Sequence, residues 1–192
     1  MPEASPTLRR RKPKQHKGLV IVNTGHGKGK STAAFGLALR AVGNRLRVLI
    51  VQFIKGRWKT GEQTSIRMLA PYADMYQMGE GFTLDHLRDP RVPMADHHAA
   101  AAEAFAFARA KLLAGEFQVV ILDEILGAVN AGLVPLDDVL QLVRDKPPAA
   151  HLVLTGRNAP AALIEVADMV TEMREIKHHY RAGITAQRGI EF

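Results

Sequence analysis

Apolar residues in this chain fall into short unbroken runs, and the segments between the runs carry helical spacing. Leu19–Val22, Arg47–Ile54, Phe117–Glu124 and His151–Thr155 are almost wholly Val, Ile, Leu and Phe in their interiors. A run of that length without polar alternation is what a strand covered on both faces requires. Ala73–Met78 and Met169–Ile176 read as two further extended stretches. Between them lie five helical segments: Ser31–Val42, Glu62–Leu69, Met94–Ala114, Leu136–Arg144 and Ala161–Ala167. In the first, Phe35, Leu39 and Val42 recur at helical spacing and Gly43-Asn44 supplies a stop. The alanine-rich third ends at Gly115. Lys55–Glu62 is too polar and glycine-rich for a core, and Gly79–Asp89 is closed by Pro90 and Pro93, so both are expected to be loops. Strands alternating with helices predict an α/β fold, a mostly parallel sheet with helices on both faces. Ligands of such folds gather at the carboxyl ends of the strands.

Composition narrows this picture. The 192 residues suit one domain, and 47% hydrophobic residues exclude wholesale disorder. No apolar run reaches the roughly 20 residues of a membrane span, and no apolar stretch follows the N-terminal arginines as in a secretory signal. The expectation is a cytoplasmic protein without a membrane partner. With no cysteine, disulfides, thiolate metal sites and cysteine nucleophiles are excluded. The net charge of +7 suggests nucleic acid until it is located. Residues 1–17 hold six basic side chains against the single Glu3, five of the seven net charges. The division expected is a basic tail over 1–17 and one domain over 18–192. The tail has three readings: a solvated segment, a flap over an anionic ligand, or a nucleic-acid contact.

The strongest chemical signal directly follows the first strand. Thr24-Gly25-His26-Gly27-Lys28-Gly29-Lys30-Ser31-Thr32 has the strand, glycine-rich turn and helix of a phosphate-cradling P-loop. Its glycines let backbone N–H groups converge on an anion that the helix N-terminus also attracts. Lys30 is expected to reach the outer phosphates and Ser31 to ligate the magnesium (or manganese) that travels with them. The pattern G-x-x-x-x-G-K-[ST] is broken only at its first position, where Thr24 precedes Gly25. His26 is expected to face solvent. Downstream, Asp123 and Glu124 end an apolar run, as acids do where a carboxylate is held near the P-loop serine to share its metal. Gly156-Arg157 ends another strand, so three sequence-distant segments should meet at one edge of the sheet. The pairs His97-His98 and His178-His179 invite a metal reading, but neighbours on a helix point about 100° apart and rarely share an ion. Phe105 and Phe107 read as core packing.

A wider set of segments, in order, is more specific than the P-loop. They are Thr24 to Gly36, Val51-Gln-Phe-Ile-Lys-Gly56, Trp58, Gly61-Glu62, Gly81-Phe82-Thr83, Val120-Ile-Leu-Asp-Glu124, Thr155-Gly-Arg157, and Lys177-His178 through Ala182-Gly183 to Gln187-Arg-Gly-Ile190. Together, from about residue 17 onward, they resemble the ATP:corrinoid adenosyltransferases of the CobA (BtuR, CobO) type. The P-loop with threonine at its first position is that family's own form.

The resemblance implies a P-loop, recA-like domain and a reaction in which the Co(I) of a reduced corrinoid attacks the 5′ carbon of ATP. The deoxyadenosyl group moves to cobalt and triphosphate leaves, in the making or salvage of adenosylcobalamin. Lys30, magnesium on Ser31 with Glu124 and Asp123, and Arg157 would then neutralise the leaving group. Phe82 would lie beneath the corrin ring and help remove the lower axial ligand of cobalt; Leu84 stands where some relatives carry a tryptophan. Two readings of Phe82 stand, corrin contact or plain core, and two of Trp58, a cover over the ligand or an apolar plug. A flavoprotein reductant and a homodimer are further implications. Two other function classes fit the P-loop, a nucleic-acid-dependent recA-like ATPase and a small-molecule kinase. The confinement of charge to the tail argues against a nucleic-acid partner.

Overall fold

The computed structural model describes residues 17–54, 60–81 and 91–191. Six strands, β1 (Val20–Thr24), β2 (Val48–Gln52), β3 (Ala73–Gln77), β4 (Val119–Asp123), β5 (His151–Thr155) and β6 (Met169–Glu172), form one sheet in the order β3-β2-β4-β5-β1-β6. Every pairing in it is parallel, so the expected mostly parallel sheet is wholly parallel among the described residues. The helices are α1 (Lys30–Gly43), α2 (Gly61–Arg67), α3 (Met94–Leu113), α4 (Ile125–Asn130), α5 (Leu136–Asp145) and α6 (Ala161–Val166).

Successive strand side chains point to opposite faces, and both faces here are covered. Val20, Val22, Leu49, Val51, Val120, Leu122, Leu152 and Leu154 pack with residues of α3, α4, α5 and α6. The alternate positions Ile21, Val48, Ile50, Val119, Ile121 and Val153 pack with α1 and α2 on the other side. That double burial is why the strands read as unbroken apolar runs.

Three expectations are corrected. Of the spaced α1 residues, Phe35 and Val42 pack at the margin of the core but Leu39 is 60% exposed, and the fully buried positions are Ala34, Ala38 and Ala41. A helix leaving a P-loop must lie close to the strand it came from, and small side chains permit that approach. Helix α4 was not expected at all; it is a single short turn-and-a-half of Ile125, Leu126 and Ala128, all buried. Extended structure from Met169 stops at Glu172 instead of Ile176. Its one neighbour among the described residues, β1, ends opposite at Thr24, and beyond that point the chain bends over the P-loop. The N-terminal tail, apart from Lys17, lies outside the described residues. No described helix is long and apolar enough to cross a membrane.

Candidate nucleotide site

The carboxyl ends of β1, β4 and β5 lie on adjacent or near-adjacent strands, so the sheet order itself assembles the site. Strand β1 delivers the buried Thr24, after which Gly25 (φ 99°) and Gly29 (φ 117°) turn the chain through left-handed conformations. Glycine is required here for space as well as for torsion. A Cβ on Gly25 would come within 2.4 Å of the Met173 carbonyl oxygen, and one on Gly27 within 2.7 Å of the Arg174 carbonyl carbon. The loop is pinned from that side: Gly27 N–H donates to Met173 O at 2.7 Å, and Met173 N–H donates to Thr24 O at 2.8 Å.

Lys30 opens α1, is 7% exposed, and donates from Nζ to the Gly27 carbonyl at 2.7 Å. Burial pushes its ammonium below the ordinary lysine value; Glu124 opposes that shift, Arg157 adds to it, and Asp123 opposes it. Side chains from the ends of β4 and β5 therefore act on one cation that follows β1. Ser31 is half-buried beside it, while Thr32, Lys28 and His26 are exposed. Arg157 is exposed too, its carbonyl held by Asn130 Nδ2 at 2.8 Å.

The two acids differ. Asp123 is wholly buried, with Oδ2 accepting from Gln52 Nε2 and Oδ1 accepting from Thr155 Oγ1, both at 2.8 Å. Glu124 is half-buried and takes a left-handed conformation, φ 62° and ψ 21°, uncommon for a residue with a Cβ. Its N–H donates to Thr155 Oγ1 at 2.9 Å. The hydroxyl of Thr24, absent from a glycine at that position, accepts from Ala159 N–H at 3.1 Å and ties the P-loop to the turn after β5.

Gln52 and Thr155 are the side chains that sequence reading passes over. The signal is a polar residue closing an otherwise apolar run, next to an acid that closes another. Trp58, Phe82 and Leu84 lie outside the described residues.

The histidine pair at 178–179 is not on an α-helix, which removes the reason for expecting divergence. His178 is extended and caps a 3₁₀ turn over His179–Ala182, its Nδ1 accepting from Tyr180 N–H at 3.3 Å. The two rings stack at 4.6 Å, and His179 Nε2 lies 3.7 Å from Glu191 Oε1. Lys28 Nζ reaches the same oxygen at 3.6 Å, so a lysine ammonium already serves this carboxylate. The group links the P-loop to the C-terminal segment. His97 is buried on α3 and His98 exposed.

The family described as ATP:corrinoid adenosyltransferase BtuR/CobO/CobP matches residues 16–192. A corrinoid adenosyltransferase of Pseudomonas aeruginosa is 42% identical over 183 residues, covering 93% of this chain and 86% of that protein. One of Sinorhizobium is 44% identical over 181 residues, 92% of this chain and 81% of its own length. That of Salmonella typhimurium, CobA, is 37% identical over 179 residues, 93% and 87% of the two chains. Among solved structures, the flagellar accessory protein FlaH of Methanocaldococcus jannaschii has a similar fold, with a TM-score of 0.52 at 16% identity over 81% of this chain and 70% of that one.

Proposed function

From the premise that this chain belongs to the ATP:corrinoid adenosyltransferase family, we infer that it transfers the 5′-deoxyadenosyl group of ATP to the Co(I) of a reduced corrinoid. The observation that carries the reading is the match over residues 16–192, which spans the P-loop and both other strand ends of the site. In the reaction cobalt supplies the electron pair of the new Co–C5′ bond. The C5′–O bond breaks, its electron pair leaves with triphosphate, and cobalt becomes formally Co(III). No proton is removed from the nucleophile, so no general base is needed.

The protein's work is electrostatic and positional. The P-loop N–H groups and Lys30 cradle the leaving group, and Lys30 exchanges its bond to the Gly27 carbonyl for a phosphate oxygen. Arg157, which already shares the field at Lys30, adds a second cation. Hard oxygen donors at Ser31 and Glu124 suit magnesium, which they would hold and which would supply further neutralisation of the phosphates. Asp123, the third oxygen donor expected from sequence, stands behind them, engaged by Gln52 and Thr155. Phe82 and Leu84 are assigned to the face beneath the corrin ring and Trp58 to covering the ligand. Reduction by a flavoprotein, a cytoplasmic setting and a homodimer complete the reading.

An anaerobic absorbance time course of chemically reduced cob(I)alamin with the protein and Mg-ATP tests it. Loss of the Co(I) band, growth of a light-sensitive alkylcorrinoid and stoichiometric triphosphate are expected. A flat trace, or ADP with a phosphorylated acceptor as the products, would overturn it.

A further inference from the structure

The acid at the end of β4 that carries the least exposure is held by the most specific contacts. Asp123 sits at 0% exposure, paired in register with Gln52 of β2, and next to β5, whose last residue is Thr155. Gln52 donates to one carboxylate oxygen and Thr155 to the other. The orientation of the Gln52 amide is set by that carboxylate, because turning Nε2 to Asp123 leaves Gln52 Oε1 buried without a hydrogen-bond partner. A buried acceptor left unmade costs about 1–3 kcal/mol, so the amide is committed to the acid. Thr155 has one proton to give. Since Asp123 takes it, the hydroxyl presents a lone pair to its other neighbour, the N–H of Glu124. That bond holds the peptide at which the chain enters its left-handed turn.

We propose that Gln52, Asp123 and Thr155 are positioning residues that aim the Glu124 carboxylate at the nucleotide's divalent cation. The inference rests on the reading of Glu124 as a magnesium ligand and adds where its direction comes from. Asp123 polarises and orients the threonine hydroxyl, the hydroxyl fixes the Glu124 peptide, and the peptide's left-handed torsion sets where the side chain starts. Gln52 keeps the carboxylate from rotating. A residue outside the ligand set that orients a ligand typically changes metal affinity by about 10–100-fold when removed.

The test needs no corrinoid. ATP affinity is measured by titration calorimetry on the full chain, once with Mg²⁺ and once with EDTA, for wild type, Thr155→Val, Thr155→Ser, Gln52→Met, Glu124→Gln and Thr155→Val/Glu124→Gln. In wild type Mg²⁺ should tighten ATP binding. Thr155→Val should lose about 10–100-fold of that gain while the EDTA value stays within about twofold. Thr155→Ser, which keeps the hydroxyl, should restore it. Gln52→Met should show the same selective loss, and it stands in if the valine variant fails to fold. The double variant should lose no more than Glu124→Gln alone, because both changes remove the same interaction. Equal losses with and without Mg²⁺, no rescue by serine, or losses that add to those of Glu124→Gln would overturn the proposal. So would a wild type that gains nothing from Mg²⁺. A normal Mg²⁺ gain without adenosyl transfer would instead overturn the proposed reaction and leave this positioning role intact.

Discussion

The two edges of the sheet, where strands begin and where they end, use polar side chains differently. At the amino ends four polar side chains hold backbone groups. Asp168 accepts from Val20 N–H at 2.9 Å and pairs with Lys17, His151 Nδ1 accepts from Leu19 N–H at 3.1 Å, and Gln118 accepts from Arg47 N–H at 2.9 Å. Lys146 gathers three carbonyls, those of Gly18, Pro147 and Ala150, at 3.0, 3.2 and 2.6 Å. At the carboxyl ends two buried side chains are spent instead on a third, Gln52 and Thr155 both donating to Asp123. Lys30, meanwhile, rests on a carbonyl of its own turn. The first edge closes the fold; the second is the one the proposed reaction would use. A lysine is withdrawn from solvent at each edge, Lys30 buried and Lys146 half-buried, and burial pushes both below the ordinary lysine value, yet Lys146 holds three acceptors and Lys30 one.

The comparison breaks if the two lysines behave alike. Lys30→Ala should lower kcat/KM for adenosyl transfer by about 100–1,000-fold, the scale of removing one preorganised partner of developing charge. Thermal unfolding of that variant should stay close to wild type. Lys146→Met should do the reverse. Losing the charged hydrogen bonds at three carbonyls is expected to cost about 2–3 kcal/mol, a fall of roughly 5–10 °C in Tm for a chain of this size. Its kcat/KM below the melting range should be unchanged. A stable, inactive Lys146→Met would dissolve the distinction between the edges.

The carboxyl edge of this division is partly legible in the sequence, and the parts that are not share a cause. The strands β1, β2, β4 and β5 announced themselves because burial on both faces leaves no polar position inside them. The P-loop residues are contiguous, so their spacing carried the reading. The pairing of Asp123 was not legible: its partners lie 71 and 32 residues away, and only strand order places them beside it. On α1 the exposed Leu39 and the buried Ala34, Ala38 and Ala41 are not legible from hydrophobicity, because size decides how near a helix can lie to its strand. Helix α4 is too short for periodicity to reveal.

The smallest expected effect sharpens the amino-end side. Asp168 is held below the usual carboxylate range, first by the hydrogen bond from Lys17, then by the Val20 N–H. A carboxylate with a depressed folded value adds stability above its unfolded pKa, and the contribution is lost as pH falls through the folded one. Asp168→Asn should therefore be less stable than wild type at pH 7, by about 0.5–1 kcal/mol for so exposed a lysine partner. The gap should close as pH drops below about 4, the range where a free aspartate protonates. Urea titrations at pH 7, 5 and 3 would read this; a gap independent of pH would assign the effect to packing.

Strand β1 is flanked by β5 and β6, both from the last quarter of the chain, and the turn that follows β1 is braced by Met173. During synthesis the segment with the nucleotide signature emerges early but has no neighbour to pair with until some 130 further residues exist. β2, β3 and β4 can zip together in the meantime, leaving a slot at the edge of β4 for β5. Nucleotide capture by a nascent chain would thus report that its far end has left the ribosome, and the earliest part of the message becomes the last to acquire meaning.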